Sequence, residues 1–212
     1  MIITFSGLDG AGKSTYVSEL NEKLKEKRLK PKTIHIHQTS LYGCLGKVLE
    51  YGNRSLKKRI NDIHAIPDQK SLLRKGLSTL LGVARVMLFC LDIIIFRVVC
   101  TINSNIFRKL IVCDRYFYDS LVHLHYLGIL PLKICKFLKS IILRPTCGFY
   151  LKIGADEAYQ RKPEHSLRYF KEKEYIYNEL IGKDKKVIAV NAKNSIIENI
   201  KFIELSLNQK IG

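Results

Sequence analysis

The sequence predicts an α/β fold, a parallel sheet of about five strands flanked by helices. Three observations predict it. Short apolar runs alternate with longer amphipathic stretches along the whole chain. The short runs are apolar throughout, as strands covered on both faces must be. A glycine-rich loop joins the first run to the first amphipathic stretch, which delivers backbone N–H groups and a helix N-terminus to one point.

That loop is Gly7-Leu8-Asp9-Gly10-Ala11-Gly12-Lys13-Ser14-Thr15, and it fits G-x-x-x-x-G-K-[ST]. Ile2, Ile3, Thr4 and Phe5 before it read as a buried strand. Ser14 to Lys27 reads as a helix with Tyr16, Val17, Leu20 and Leu24 on one stripe. Gly7, Gly10 and Gly12 let the backbone wrap an anion. Lys13 then reaches the β- and γ-phosphates of a nucleotide, and Ser14 offers a hydroxyl to Mg²⁺. A chance glycine turn would not also carry the lysine and the hydroxyl between strand and helix.

Lys30-Pro31 ends the first helix, and Thr33 to Gln38 alternates as a second strand. Leu41 to Tyr51 reads as a short helix closed by Gly52. Residues 53–64 are basic and irregular, with Arg54, Lys57, Lys58 and Arg59 clustered. Pro67-Asp68 starts a helix toward Leu80, and Gly82 separates it from a long apolar helix. Lys109 to Cys113 is a third strand ending in Asp114-Arg115-Tyr116. Helices follow over Asp119–Leu127 and Pro131–Ser140, then a fourth strand over Cys147–Ile153. Asp156–Arg161 and Glu164–Leu180 are helical, broken at Lys162-Pro163. Lys186–Val190 is a fifth strand and Ser195–Leu207 closes the chain. The whole of 1–212 reads as one domain, with a short lid around 156–168 and a basic segment around 53–80. Ligands of such a sheet bind at the carboxyl ends of its strands, where the loop and Asp114-Arg115 both fall.

Composition narrows the partners. Hydrophobic residues make up 47% of the 212, enough for a full core. Lys+Arg 36 against Asp+Glu 19 gives a formal charge of +17, which favours anionic partners or a solvated lysine-rich surface. The six cysteines form no C-x-x-C pair and suggest no zinc site. Most lie in apolar runs, as reduced thiols of a cytoplasmic protein do. The N-terminus enters the first strand directly, with no secretory signal pattern. Val83 to Ile102 is strongly apolar, but Arg85, Asp92 and Arg97 interrupt it, so a core helix is expected and not a membrane span.

Asp114-Arg115 is the second chemical signal. An aspartate at the end of a strand beside the glycine-rich loop can order Mg²⁺ or its waters, and the arginine can lie across transferring phosphates. With these residues in place, the chain resembles the thymidylate kinase family of P-loop nucleoside monophosphate kinases. The resemblance rests on residues 7–15 with their internal Asp9, on Asp114-Arg115-Tyr116 followed by Ser120, and on Met87-Leu88-Phe89-Cys90-Leu91-Asp92. It implies the three-layer P-loop NTPase sandwich, ATP and Mg²⁺, and a 5′-monophosphate acceptor, usually dTMP. It implies that Gly7, Asp9, Gly10, Ala11, Gly12, Lys13, Ser14 and Thr15 hold the donor, and that Ser14 and Asp114 hold the metal. Asp9, Phe89, Arg115 and Tyr116 then face the acceptor, with Phe89 stacked on its base. Lys13, Arg115, Asp9 and a lid arginine, best matched by Arg161, carry catalysis. It also implies a possible homodimer and no specific nucleic-acid partner.

Two departures qualify the acceptor. Ile93 stands where the family has a base-reading arginine, and Gln38-Thr39-Ser40-Leu41-Tyr42 lacks the arginine that grips the acceptor phosphate. The expected function is therefore ATP-dependent phosphorylation of dTMP or a related monophosphate. Two other readings remain: a P-loop kinase of a phosphorylated or sugar metabolite, and a non-catalytic nucleotide-binding protein that docks on an acidic partner.

Overall fold

The structure is a computed structural model and describes residues 1–36, 72–107 and 110–211. Five strands form one parallel sheet: β1 (Ile2–Gly7), β2 (Pro31–Ile34), β3 (Leu110–Asp114), β4 (Cys147–Lys152) and β5 (Val187–Asn191), in the order β2-β3-β1-β4-β5. Helices α1 (Lys13–Glu26), α2 (Leu72–Phe107), α3 (Phe117–Tyr126), α4 (Leu132–Ile141), α5 (Ala155–Arg161), α6 (Leu167–Tyr177) and α7 (Ile196–Ile211) flank it. A single π-helical turn, Asn178–Gly182, continues α6. This is the α/β architecture that the alternating runs predict.

The central strands β1 and β3 are buried along their whole length, which accounts for their unbroken apolar sequence. Phe5 of β1 stacks at 5.4 Å on Phe149 of β4 and at 6.3 Å on Tyr16 of α1. Tyr16, Val17, Leu20 and Leu24 are the buried stripe of α1, as their spacing requires. Asn199 of α7 donates to the Tyr16 hydroxyl at 2.7 Å and to Asn191 O at 2.8 Å, so one amide fastens α7 to α1 and to the end of β5.

Several boundaries differ from the sequence expectation: the second strand ends at Ile34 and not Gln38, the helix expected from Glu164 starts at Leu167, and the last helix runs past Leu207 to Ile211. The second strand begins at Pro31, ahead of Thr33. It is an edge strand, and proline is tolerated at the first position of an edge because no ladder hydrogen bond is lost. Gly82 does not divide two helices, since α2 runs through it. Glycine inside a helix costs about 1 kcal/mol relative to alanine, which the packing of a long apolar helix outweighs. The expected helix over Leu41–Tyr51, the basic stretch 53–64, the helix start at Pro67-Asp68 and the stretch Gln38–Tyr42 lie outside the described residues. No helix among the described residues is long and apolar enough to cross a membrane.

The sheet order positions the site. The chain leaving β1 runs out to the edge strand β2, while the chain leaving β3 crosses β1 to reach β4. Strand order therefore reverses between β1 and β3, and a crevice opens at their carboxyl ends. Phe5 is in register with Asp114, so the glycine-rich loop and the Asp114-Arg115 turn emerge side by side.

Candidate active site

The loop between β1 and α1 is shaped by its glycines. Gly10 has φ +84°, and a Cβ built on it would lie 2.8 Å from Ala158 O and 3.4 Å from Lys162 Cβ. The end of α5 thus rests against the loop with no room for a side chain. Gly12 caps α1 in the left-handed region at φ +85°.

Lys13, the first residue of α1, is buried. Its Nζ donates to Gly7 O and Leu8 O, both at 2.7 Å, and lies 3.9 Å from Asp9 Oδ1. Burial and the nearby Arg115 pull its pKa below the usual lysine value, against the opposing pull of Asp9, Asp119 and Asp114. Ser14 Oγ donates to Asp114 Oδ2 at 2.7 Å, and His35 Nδ1 lies 3.2 Å from the same oxygen. Asp114 Oδ1 is buried with no hydrogen-bond partner. A buried carboxylate oxygen left open beside a hydroxyl fits a hard cation whose other ligands are waters and substrate phosphates.

Arg115 takes a left-handed backbone, φ +65°, unusual for a residue other than glycine. Its N–H donates to Phe5 O at 3.1 Å, holding that conformation at the carboxyl ends of the central strands. Its guanidinium donates to Asp9 Oδ1 at 2.7 Å. Burial alone would raise the Asp9 pKa. Lys173, Lys13 and Arg115, with the Tyr169 hydroxyl, override it and hold Asp9 ionised far below the usual carboxylate range. Asp9 and Asp119 likewise keep Arg115 charged despite its burial.

The expected site residues divide in two. Asp9, Lys13, Ser14, Asp114 and Arg115 converge on the crevice with the loop glycines. Tyr116 does not join them: it is fully buried, its ring packs edge-on to Phe96, Phe117 and Tyr118, and its hydroxyl donates to Leu143 O. Phe89 is buried against Phe117, with centroids 5.9 Å apart. Arg161 donates to Glu157 Oε1 at 2.7 Å and to Ala192 O at 3.2 Å, which ties α5 to the end of β5.

Several members of the cluster carry no motif. Asp119 accepts from Gly7 N at 3.3 Å and Tyr177 Oη at 2.7 Å through Oδ1, and from Tyr116 N at 2.9 Å through Oδ2. One carboxylate therefore joins the end of β1, the start of α3 and the end of α6. Tyr169 Oη donates to Asp9 Oδ2 at 3.1 Å, and Lys173 Nζ lies 3.9 Å from the same atom. Tyr169, Lys173 and Tyr177 fall at i, i+4 and i+8 on α6. That spacing, with a lysine amid a buried stripe, was the signal available in the sequence. Arg85 lies one turn before Phe89 on the buried face of α2, and its Nε has no hydrogen-bond partner.

The parallel sheet, with its glycine-rich loop at the point where strand order reverses, is consistent with the α/β P-loop NTPase fold. No protein-family profile matches the chain. A thymidylate kinase of Mycoplasmopsis agalactiae is 28% identical, in an alignment spanning 99% of this chain and 95% of that protein. A thymidylate kinase of Pelodictyon phaeoclathratiforme is 28% identical across 76% of this chain and 65% of that protein. With the fold, these relatives support a kinase that is a divergent member of the thymidylate kinase family.

Proposed function

We propose that this chain transfers the γ-phosphoryl group of ATP to dTMP or a closely related nucleoside monophosphate. The observation that carries the reading is the convergence of Lys13, Ser14–Asp114 and Asp9–Arg115 at one crevice, supported by the two thymidylate kinase relatives. Loop amides and Lys13 bind the donor phosphates, with Lys13 exchanging its carbonyl partners Gly7 and Leu8 for phosphate oxygens. Ser14 and Asp114 hold Mg²⁺, which offsets the charge of the donor phosphates. Arg115 lies across the donor and acceptor phosphates, and Arg161 swings from Glu157 to meet charge that develops in the transition state. α5, packed against the loop, helps exclude water and so limits ATP hydrolysis.

On the acceptor side, Phe89 and Arg85 of α2 supply a ring and a cation on one helix face. Ile93, buried at 5% exposure, offers apolar contact and no hydrogen bond. Discrimination between dTMP and dUMP therefore rests on a single methyl group, and kcat/KM for the two differs by about 10–200-fold. The opposite face of α2 exposes Met87, Leu91, Ile94, Ile95, Val98 and Ile102 at near-heptad spacing, which suits pairing with a second copy of the chain. Light scattering at twice the chain mass supports that pairing. Four of the described cysteines are buried, as suits the cytoplasm.

Coupled ADP release across a panel of deoxynucleoside and nucleoside monophosphates tests the reading. Release that depends on dTMP or a near relative supports it. Release only with sugar phosphates moves the function to metabolite phosphorylation. ATP binding without release with any acceptor, alongside retention on an anionic matrix, moves it to a non-catalytic nucleotide-binding protein.

A further inference from the structure

Lys173 belongs to neither the glycine-rich loop nor the Asp114-Arg115-Tyr116 signature, yet it reaches the same carboxylate. It is 6% exposed. Its Nζ donates to the Tyr169 hydroxyl, lies 4.4 Å from the Tyr169 ring centroid and 6.0 Å from that of Tyr126, and stands 3.9 Å from Asp9 Oδ2. Arg115 holds the other oxygen, Asp9 Oδ1, at 2.7 Å. Besides Lys13, which lies 3.9 Å from Oδ1 but is hydrogen-bonded to Gly7 O and Leu8 O, the carboxylate is shared by two cations from different parts of the fold, one fully hydrogen-bonded and one within ion-pair reach but short of bonding.

The two cations differ in access. The Arg115 side chain is 35% exposed and that of Lys173 is 8% exposed. An anionic phosphate entering the crevice competes with Asp9 for the accessible guanidinium and cannot reach the ammonium as readily. Arg115 leaving on its own would leave the half-buried Asp9 carboxylate with the Tyr169 hydroxyl and no hydrogen-bonded cation, a costly arrangement away from water. Lys173 needs to advance by only about 1 Å to reach normal hydrogen-bond distance from Asp9.

We propose that Lys173 is a positioning residue for phosphoryl transfer: it takes over Asp9 as Arg115 turns to the substrate phosphate, so Arg115 is released without leaving the carboxylate short of a hydrogen-bonded cation. The proposal rests on the kinase reading above. The exchange requires a protonated Lys173. The groups facing it are Asp9 of the loop, Lys13 of α1, Arg115 after β3, Asp119 and Tyr126 of α3, and His165 and Tyr169 of its own segment. Burial, with Arg115 and Lys13, pulls the Lys173 pKa from 10.5 down to about 8, against Asp9 and Asp119. The exchange therefore weakens as pH rises past that value.

The test compares wild type with K173R and K173M from pH 6.5 to 9.5. In wild type, kcat/KM for the accepted monophosphate falls about tenfold per pH unit above a limb near pH 8. K173R stays active and loses the limb, because a guanidinium keeps its proton over this range. K173M melts cooperatively but loses about tenfold or more in kcat/KM at pH 7, with no limb from this group. Should no monophosphate be turned over, the kinase reading fails, and the same three proteins are compared for ATP affinity over the same range. The limb must again disappear in both variants. K173M equal to wild type, or an unchanged limb in K173R, overturns the proposal in either assay.

Discussion

Gly10 of the loop meets Ala158 in the middle of α5 so closely that an added methyl group would sit 2.8 Å from the Ala158 carbonyl oxygen. Gly10 also has φ +84°, where alanine is strained. G10A should therefore lower stability by roughly 1–3 kcal/mol. It should also weaken ATP binding by pushing α5 off the loop. Thermal melting and calorimetric titration with ATP check this. Wild-type values in both would mean that the loop and α5 are not packed as described.

Lys13 makes its contacts through the ammonium, to two carbonyls of its own loop. K13M keeps the length of the side chain and removes the charge. Turnover should fall by about 10²–10³-fold or more, the loss typical when one preorganised donor to a developing charge is removed. Circular dichroism and melting should stay close to wild type. Retained turnover would remove Lys13 from the phosphate site.

Two charges of this cluster make stability depend on pH in opposite ways. Asp9 is held ionised well below the usual aspartate value of 3.8. Its contribution is complete above about pH 4 and is lost as pH falls toward the lowered folded value. Lys173 is lowered from 10.5 to about 8, so its folded state binds the proton less tightly than the unfolded state does. The resulting penalty is full below pH 8, on the order of 3 kcal/mol, and is relieved as pH rises from 8 to 10.5. Accordingly K173M should be at least as stable as wild type at pH 7, with the difference shrinking toward pH 10. D9N should lose stability at pH 7 and converge with wild type in acid. Denaturant melts across pH measure both, and K173M much less stable than wild type at neutral pH would contradict the first.

Arg161 is held by Glu157 and by the Ala192 carbonyl. If it leaves them only for the transition state, R161A lowers kcat by about tenfold or more while the KM for ATP changes little. Steady-state kinetics with saturating acceptor decide this. An unchanged kcat would shift the lid cation to Lys162 or Arg168, or remove it from the lid.

Much of the sheet was legible because its cause is local. Ile2–Phe5, Lys109–Cys113 and Cys147–Ile153 read as strands from unbroken apolar runs, and each contains or overlaps an observed strand. The loop was legible because backbone wrapping of an anion demands glycine at fixed positions. Gly82 was misread because a breaker's local cost is small beside the burial of a long helix, and burial is not written at that position.

By itself the sequence determined the strand–loop–helix that carries Lys13 and Ser14, the strand that ends in Asp114-Arg115, and the apolar character of α2. These follow from periodicity and backbone chemistry within a few residues. Only the tertiary structure decided what surrounds Asp9. Lys173, Tyr169 and Asp119 come to that cluster from α6 and α3, far along the chain, and the spacing that puts a lysine in the buried stripe of α6 does not say locally which partner it meets. It decided too that Tyr116, inside the signature, turns into the core while its neighbour Arg115 turns to the crevice. The left-handed backbone at Arg115 sends the chain directly from the strand into α3, and successive side chains there point to opposite sides.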